Sequence, residues 1–279
     1  MNSDPFETFS YATPGDPPLR RLTIRLIERM TGQPRLKRIY RQYRTESGAG
    51  NFWEQAIARL RLTLVFDPKP VAAWPHTGAL VIVCNHPFGV IDGLAVCAVT
   101  ARIRPDFRIL TNAVLNRAEE IKPHLLPVDF SDTKEALGIN LKSRAQARAH
   151  LAAGGVLIVF PAGGVSTTPS IWHARAVDAQ WKNFTAKLIL GAHAPVAPLY
   201  FEGQNSRLFQ IASHLHQTLR LSLLFKEVHD RIGAEIRMRP GSSIPFSELG
   251  HLAPDALMAE LRARTYGLAS GLAGEGHAV

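Results

Sequence analysis

"VIVCNHPFGVIDGLAV", residues 81–96, decides how the chain is read. Val81-Ile82-Val83-Cys84 has the continuous apolar character of a strand buried on both faces, and it stops on Asn85-His86-Pro87. Gly89 follows, then Asp92, six positions past the histidine. On an uninterrupted helix that spacing separates two side chains by roughly 240°, so His86 and Asp92 meet only if the chain bends between them. Pro87 and Gly89 are suited to such a bend. Two readings fit the segment. In one, Asp92 folds back to accept a hydrogen bond from one imidazole nitrogen, which fixes the tautomer and leaves the other nitrogen as a base. In the other, Asn85 and Pro87 are ordinary turn residues and Asp92 is the N-cap of a helix beginning at Gly93.

Further apolar runs follow at 107–111, 156–160, 194–201 and 234–239, with helical patterns near 92–102, 142–153 and 174–192 and a closing helix in "APDALMAELRARTYGL". Strands alternating with helices predict an α/β fold, a mixed, largely parallel sheet flanked by helices, with function at the carboxyl ends of its strands. The run 156–160 leads into Pro161, Gly163, Gly164, Ser166, Thr167 and Thr168. Such a loop either exposes N–H groups to a phosphate or oxyanion or is a simple turn. The run 194–201 leads into Gly203 and Asn205. Three strands ending in small polar loops point to one shared pocket.

Before residue 49 the texture differs. Pro5, Pro14, Pro17 and Pro18 mark an irregular arm. Leu19, Leu22, Leu26, Ile27 and Met30, then Leu36, Ile39, Tyr40 and Tyr43, recur at helical spacing. Nine Lys or Arg lie between residues 20 and 44 against one acid, Glu28. A third helical pattern runs over 52–64. The division is therefore an amino-terminal extension, 1–48, and an α/β domain, 49–279. The basic helices fit either a platform on an anionic bilayer or a cap whose arginines face solvent.

Composition narrows the classes. The 279 residues are 46% hydrophobic, ample for a packed core, and the net charge of +9 favours anionic partners. No basic-aromatic motif supports nucleic acid as one of them. Cys84 and Cys97 sit in apolar context, as buried hydrophobes of a reducing compartment. The amino end lacks a signal-peptide core, and no apolar stretch reaches the ~20 residues of a membrane span. The Gly-rich carboxyl end is expected to be loose. His214-x-His216 has a strand-like ligand spacing but no acidic or cysteine partner nearby, so no metal site is assigned.

"NHPFGVIDG", "FPAGGVS" and "PLYFEGQNS", in that order, resemble the glycerolipid (lysophospholipid) acyltransferase superfamily over roughly residues 50–245. The likeness is greatest to 1-acylglycerol-3-phosphate O-acyltransferase-like proteins of a bacterial NHPxGxxDG branch that also carries the name hemolysin. The resemblance implies transfer of an acyl group from acyl-CoA or acyl-carrier protein to a lysolipid hydroxyl. His86 is then the general base and Asp92 its orienting carboxylate. No cofactor beyond the thioester co-substrate is needed. Asn85, Gly89, Arg108, Pro161, Gly163, Gly164, Ser166 and Asn205 are the candidate substrate-binding residues, with Lys142 and Arg144 as further candidate cations. No G-x-S-x-G nucleophile elbow is present.

The sequence departs from the superfamily pattern twice. Five residues separate His86 from Asp92 in place of four. The usual Glu and Arg of the second motif, which help bind a phosphorylated acceptor, are Ala162 and Val165. An acceptor without glycerol phosphate, such as a lyso-aminolipid, is the rival enzymatic reading, and a non-catalytic lipid-binding protein the rival from another class. The resemblance also favours the platform reading of 19–45, with Phe52 and Trp53 behind it, and a peripheral location on the cytoplasmic face of the inner membrane.

Overall fold

The computed structural model describes residues 12, 15–46, 50–112, 120–129, 133–215 and 217–270. Apart from Ala12 and residues 15–18, the expected arm lies outside them, as do His216 and the Gly-rich carboxyl end. The chain runs α1 (Pro18–Met30), α2 (Gln33–Thr45), α3 (Phe52–Arg59), β1 (Thr63–Val65), α4 (Pro68–Ala72), β2 (Leu80–Cys84), α5 (Val90–Ile103), β3 (Phe107–Asn112) and β4 (Leu125–Val128). It continues with α6 (Lys134–Ala152), β5 (Val156–Val159), α7 (Asn183–Ala192), β6 (Val196–Phe201), α8 (Arg207–Leu215), α9 (Gln217–Asp230), β7 (Glu235–Pro240), α10 (Phe246–Leu249) and α11 (Pro254–Gly267).

Seven strands form one sheet in the order β1-β7-β6-β2-β5-β3-β4. Every neighbouring pair is parallel except β6 and β7. This is the mixed, largely parallel sheet the apolar runs predict. β2, β5 and β6 are buried along their whole length. Side chains alternate across a strand, and the core divides accordingly. Leu80, Ile82, Val156, Ile158, Leu199 and Phe201 join the layer that includes residues of α5 and α9. Val81, Val83, Leu157, Val159 and Val196 join the layer of α6, α7 and α11. Because β2 lies between β5 and β6 and runs parallel to both, the loops after these three strands emerge side by side at one edge.

Three helical expectations are corrected. The pattern over 52–64 stops at Arg59. Arg61 takes a left-handed φ of 50°, and the alternation that follows, Leu62 and Leu64 in, Thr63 and Val65 half out, is that of strand β1 on β7. The segment 174–182 is not helical: Val177 bridges Thr167, and α7 starts only at Asn183. The helix after β2 begins at Val90, so its cap is Gly89 and not Asp92.

The amino-terminal helices pack on α9 and α3. Leu36 and Tyr40 of α2 are buried, as expected for its apolar face. α1 is oriented the other way. It buries Ile24 and Glu28, the latter holding the Gln33 amide at 3.1 Å, and turns Leu19, Leu22, Leu26 and Met30 out, each more than half exposed. No helix among the described residues is long and apolar enough to cross a membrane.

The carboxyl ends of β2 and β6 are tied by one side chain. Asn85 Nδ2 donates to the Phe201 carbonyl at 2.9 Å, and the Phe201 N–H donates back to Oδ1 at 2.6 Å. Asn85, expected at the substrate, is a buried clamp with both ends of its amide engaged. Replacing Asn85 by Ala strands both backbone groups in the core, a loss of about 2–3 kcal/mol in urea unfolding. A variant with wild-type stability would refute the clamp.

Candidate active site

The sharp bend between His86 and Asp92 is built by Pro87, Phe88 and Gly89. Gly89 adopts φ +82°, which a side chain would strain, and a Cβ there would also press on Val165 and Leu224 at 3.2 and 3.3 Å. With that turn in place, Asp92 occupies the first turn of α5. Its Oδ2 accepts the N–H of Phe88 at 2.8 Å and of Gly89 at 2.9 Å, and it lies 3.0 Å from His86 Nδ1. The imidazole contact is at ion-pair distance, though its angle misses that of a hydrogen bond. Both roles proposed for Asp92 thus merge: it serves the start of the helix and faces the histidine.

Asp92 is fully buried, and its Oδ1 has no partner among the described residues. Burial pushes its carboxyl above the ordinary carboxylate range, while His86 and the two N–H donors pull the other way. The positive end of the α5 dipole also favours the ionised form. The His86 ring stacks on Phe160, centroids 4.0 Å apart and planes 25° from parallel, with its side chain 17% exposed. Cys84 and Cys97 are both buried, and burial pushes their thiols well up, so neither supplies a thiolate nucleophile.

The loop after β5 is bonded to this turn. Ser166 N–H donates to the His86 carbonyl at 2.8 Å, and Gly163 N–H closes a tight turn on Phe160 O at 2.9 Å. Asp178 holds the two loops together. Its Oδ1 accepts the His86 N–H at 3.1 Å and the Ser166 hydroxyl, and its Oδ2 accepts the Trp181 indole N–H at 2.9 Å. Tyr266 Oη caps the Asp178 N–H at 2.8 Å, and Arg262 bonds its carbonyl. Sequence reasoning missed Asp178 because it placed the residue in a helix. A signal was present: Asp178 is the one acid between Glu135 and Glu202.

Of the expected residues, His86, Asp92, Gly89, Gly163, Gly164 and Ser166 come together. Ser166 is buried against Asp178, and Pro161 is buried with its carbonyl on the Lys182 N–H at 3.0 Å. Asn205, beyond β6, is buried with neither end of its amide partnered among the described residues. The loop it sits in approaches the first turn closely: a side chain on Gly203, φ +107°, would meet the Phe88 ring at 2.8 Å.

Three expected cations lie elsewhere. Arg108 pairs in register with Leu157, and Leu157 with Val81. At ~3.3 Å per residue that puts it about 16 Å down the sheet from His86, where its charge acts on His150. Lys142 is exposed on α6, and Arg144 covers the Phe184 ring at 5.9 Å. His214 lies on α8, not on a strand, and bonds Thr168 Oγ1 at 3.1 Å.

A sequence model of the family described as acyltransferase matches residues 49–273. The lyso-glycine lipid O-acyltransferase of Phocaeicola vulgatus is 26% identical over 146 residues, 52% of this chain and 50% of that protein. The chain therefore spans about half the length of this curated relative. Among solved structures, the 1-acyl-sn-glycerophosphate acyltransferase PlsC from Thermotoga maritima aligns with a TM-score of 0.50 at 13% identity, covering 95% of this chain and 85% of that one. At that identity the likeness is one of fold.

Asp178→Asn converts one accepting oxygen into a donor that faces a donor. The expected result is a loss of about 2 kcal/mol in stability, with the loop after β5 more open to proteolysis. Unchanged stability and unchanged cleavage would remove Asp178 from its joining role.

Proposed function

The chain belongs to the acyltransferase family, within the glycerolipid acyltransferase superfamily, and on that premise we propose that it transfers an acyl group from a thioester to a lysolipid hydroxyl. The observation that carries the reading is the 3.0 Å approach of His86 Nδ1 to a buried carboxylate fixed by two backbone N–H groups. In this reading Nδ1 faces Asp92 and Nε2 is the base. It removes the acceptor hydroxyl's proton as the oxygen attacks the thioester carbonyl, and Asp92 steadies the imidazolium that forms. The tetrahedral intermediate then collapses. The C–S bond breaks, and the leaving thiolate takes the proton back from His86. No covalent enzyme intermediate is required.

The oxyanion needs N–H donors that are not already engaged. Phe88 and Gly89 give theirs to Asp92, and Gly163 gives its own to Phe160. Gly164, next along the loop, is the donor we assign. The co-substrate is acyl-CoA or acyl-carrier protein. The acceptor is a lysophospholipid or, as a second reading, a lyso-aminolipid. The second is favoured by the curated relative's lyso-glycine lipid activity and by Ala162 and Val165 standing where a phosphate-binding Glu and Arg are usual.

Purified protein supplied with palmitoyl-CoA or palmitoyl-acyl-carrier protein and a panel of lysolipids is expected to give O-acylated product. His86→Ala and Asp92→Asn should each lower kcat/KM about a hundredfold or more. Wild-type rates in either variant would refute the dyad. The wild-type rate should fall toward acid pH. Because burial raises Asp92, its ionised form is lost at a higher pH than an ordinary carboxylate's. A rate flat from pH 4 to 8 would contradict that role.

The lipid substrate also calls for a membrane contact, and we assign it to α1, on the cytoplasmic face of the membrane. Leu19, Leu22, Leu26 and Met30 are exposed, with Arg20, Arg25 and Arg29 exposed on the same helix. The pair Leu22→Gln and Leu26→Gln should abolish sedimentation with phosphatidylglycerol vesicles at low salt while shifting stability by no more than about 0.5 kcal/mol. Undiminished vesicle binding would place the contact elsewhere.

A further inference from the structure

The loop that carries the second motif, residues 160–168, contains no charged side chain. A cation nevertheless lies against it. Arg220 of α9 donates from Nη2 to the Val165 carbonyl at 2.6 Å, and a Cβ on Gly164 would lie 3.5 Å from the same nitrogen. The guanidinium also covers the Phe209 ring at 5.8 Å. Val165 in turn borders Gly89 in the turn after His86, and the next residue, Ser166, bonds the His86 carbonyl.

Two other arginines, one nearby and one buried, have an acid, and this one has none among the described residues. Arg231, just past the end of the same helix, pairs with Glu227 at 3.1 Å, and buried Arg104 pairs with Asp106 at 2.7 Å. Arg220 has no carboxylate within ion-pair distance among the described residues, and a carbonyl oxygen does not neutralise it. The Val165 carbonyl and the Phe209 ring offset part of the desolvation of its half-buried charge, but burial still lowers the guanidinium pKa and no acid counters it. Such a group is stabilised by an anion brought from outside. A donor without a partner lies against the same loop, on α8. Gln210 is fully buried, its Oε1 accepts the Thr168 N–H at 3.0 Å, and its Nε2 has no partner among the described residues.

We propose that Arg220 is the anion receptor of the acceptor site, binding a headgroup carboxylate or phosphate of the lysolipid while Nη2 keeps its hold on Val165. The inference rests on the reading that His86 deprotonates that lysolipid's hydroxyl. The headgroup anion of a lysolipid stands a few bonds from its reacting hydroxyl, so a cation one loop away from the base is in reach of it. The phosphates of acyl-CoA or acyl-carrier protein stand a whole pantetheine arm from the thioester carbon, which makes them the poorer match. A guanidinium also offers paired donors to a planar carboxylate or a phosphate, which an ammonium does not.

The test uses initial rates of wild type, Arg220→Gln and Arg220→Lys with lysophosphatidate, a lyso-aminolipid bearing a free carboxylate, and the methyl ester that reduces each headgroup's charge. Arg220→Gln should raise the acceptor KM about tenfold or more with the charged acceptor, leave the donor KM unchanged, and discriminate little between acid and ester. Wild type should itself lose about tenfold on the ester, and Arg220→Lys should recover part of the loss. The inference is overturned if wild type uses acid and ester alike, or if the variants' loss falls on the donor KM. Should Arg220→Gln fail to fold, the wild-type comparison and Arg220→Lys still decide. Wild type inert toward every lysolipid and both donors would instead defeat the reading of function beneath it.

Discussion

One buried oxygen organises the mouth of this sheet. Asp92 Oδ2 gathers the N–H groups of Phe88 and Gly89 and stands against His86 Nδ1. Two of those donors would otherwise be orphans at the start of a helix. The carboxylate therefore closes the turn, starts α5 and orients the imidazole in a single arrangement. Its cost is a charge enclosed in a core, visible as the rise in its pKa. A purely structural cap does not need full burial, since an exposed Ser or Asp would serve as well.

Around this oxygen the loops are interlocked. Asn85 binds the first loop to the end of β6, and Asp178 binds it to the loop after β5. Each tie joins a side chain to the backbone of a separate segment, so the position of His86 is over-determined. Catalytic groups demand such support, because a small displacement of a base costs much of its effect. The amino-terminal helices reach the same assembly through α9, which carries Leu224 against Gly89 and Arg220 against Val165. Under the proposed function, one helix thus links the lipid-facing layer with the acceptor site.

The sequence was legible where a local pattern and its tertiary use coincide. β2, β5 and β6 are continuous apolar runs because helices cover both their faces, and the loops that follow them could be located from the runs alone. Pro87 and Gly89 announced the bend. Illegible were the features that depend on partners distant in the chain. Arg61 leaves the helical region so that Leu62 and Leu64 can line a strand beside β7, although 52–64 has helical spacing. Asp178 is separated from His86 by most of a hundred residues and stands in a stretch with helix-like composition. Arg220 looks like any basic residue on an amphipathic helix until Val165 is placed beside it, whereas Arg108, attractive on a strand, proves to lie at the far end of that strand. α1 left two readings open, platform or cap, because its leucine periodicity suits either, and only the packing shows that the buried side is the one with Ile24 and Glu28.

The ring of Phe160 lies nearly flat over that of His86. The stack covers one face of the imidazole, and the Nε2 lone pair that takes a proton points outward in the ring plane, along a line that face-on stacking leaves uncovered. A long-tailed alcohol fixed by its head would present its oxygen along that lane repeatedly. Under the proposed chemistry, the aromatic roof holds the imidazole plane and with it the direction along which the alcohol's proton is taken.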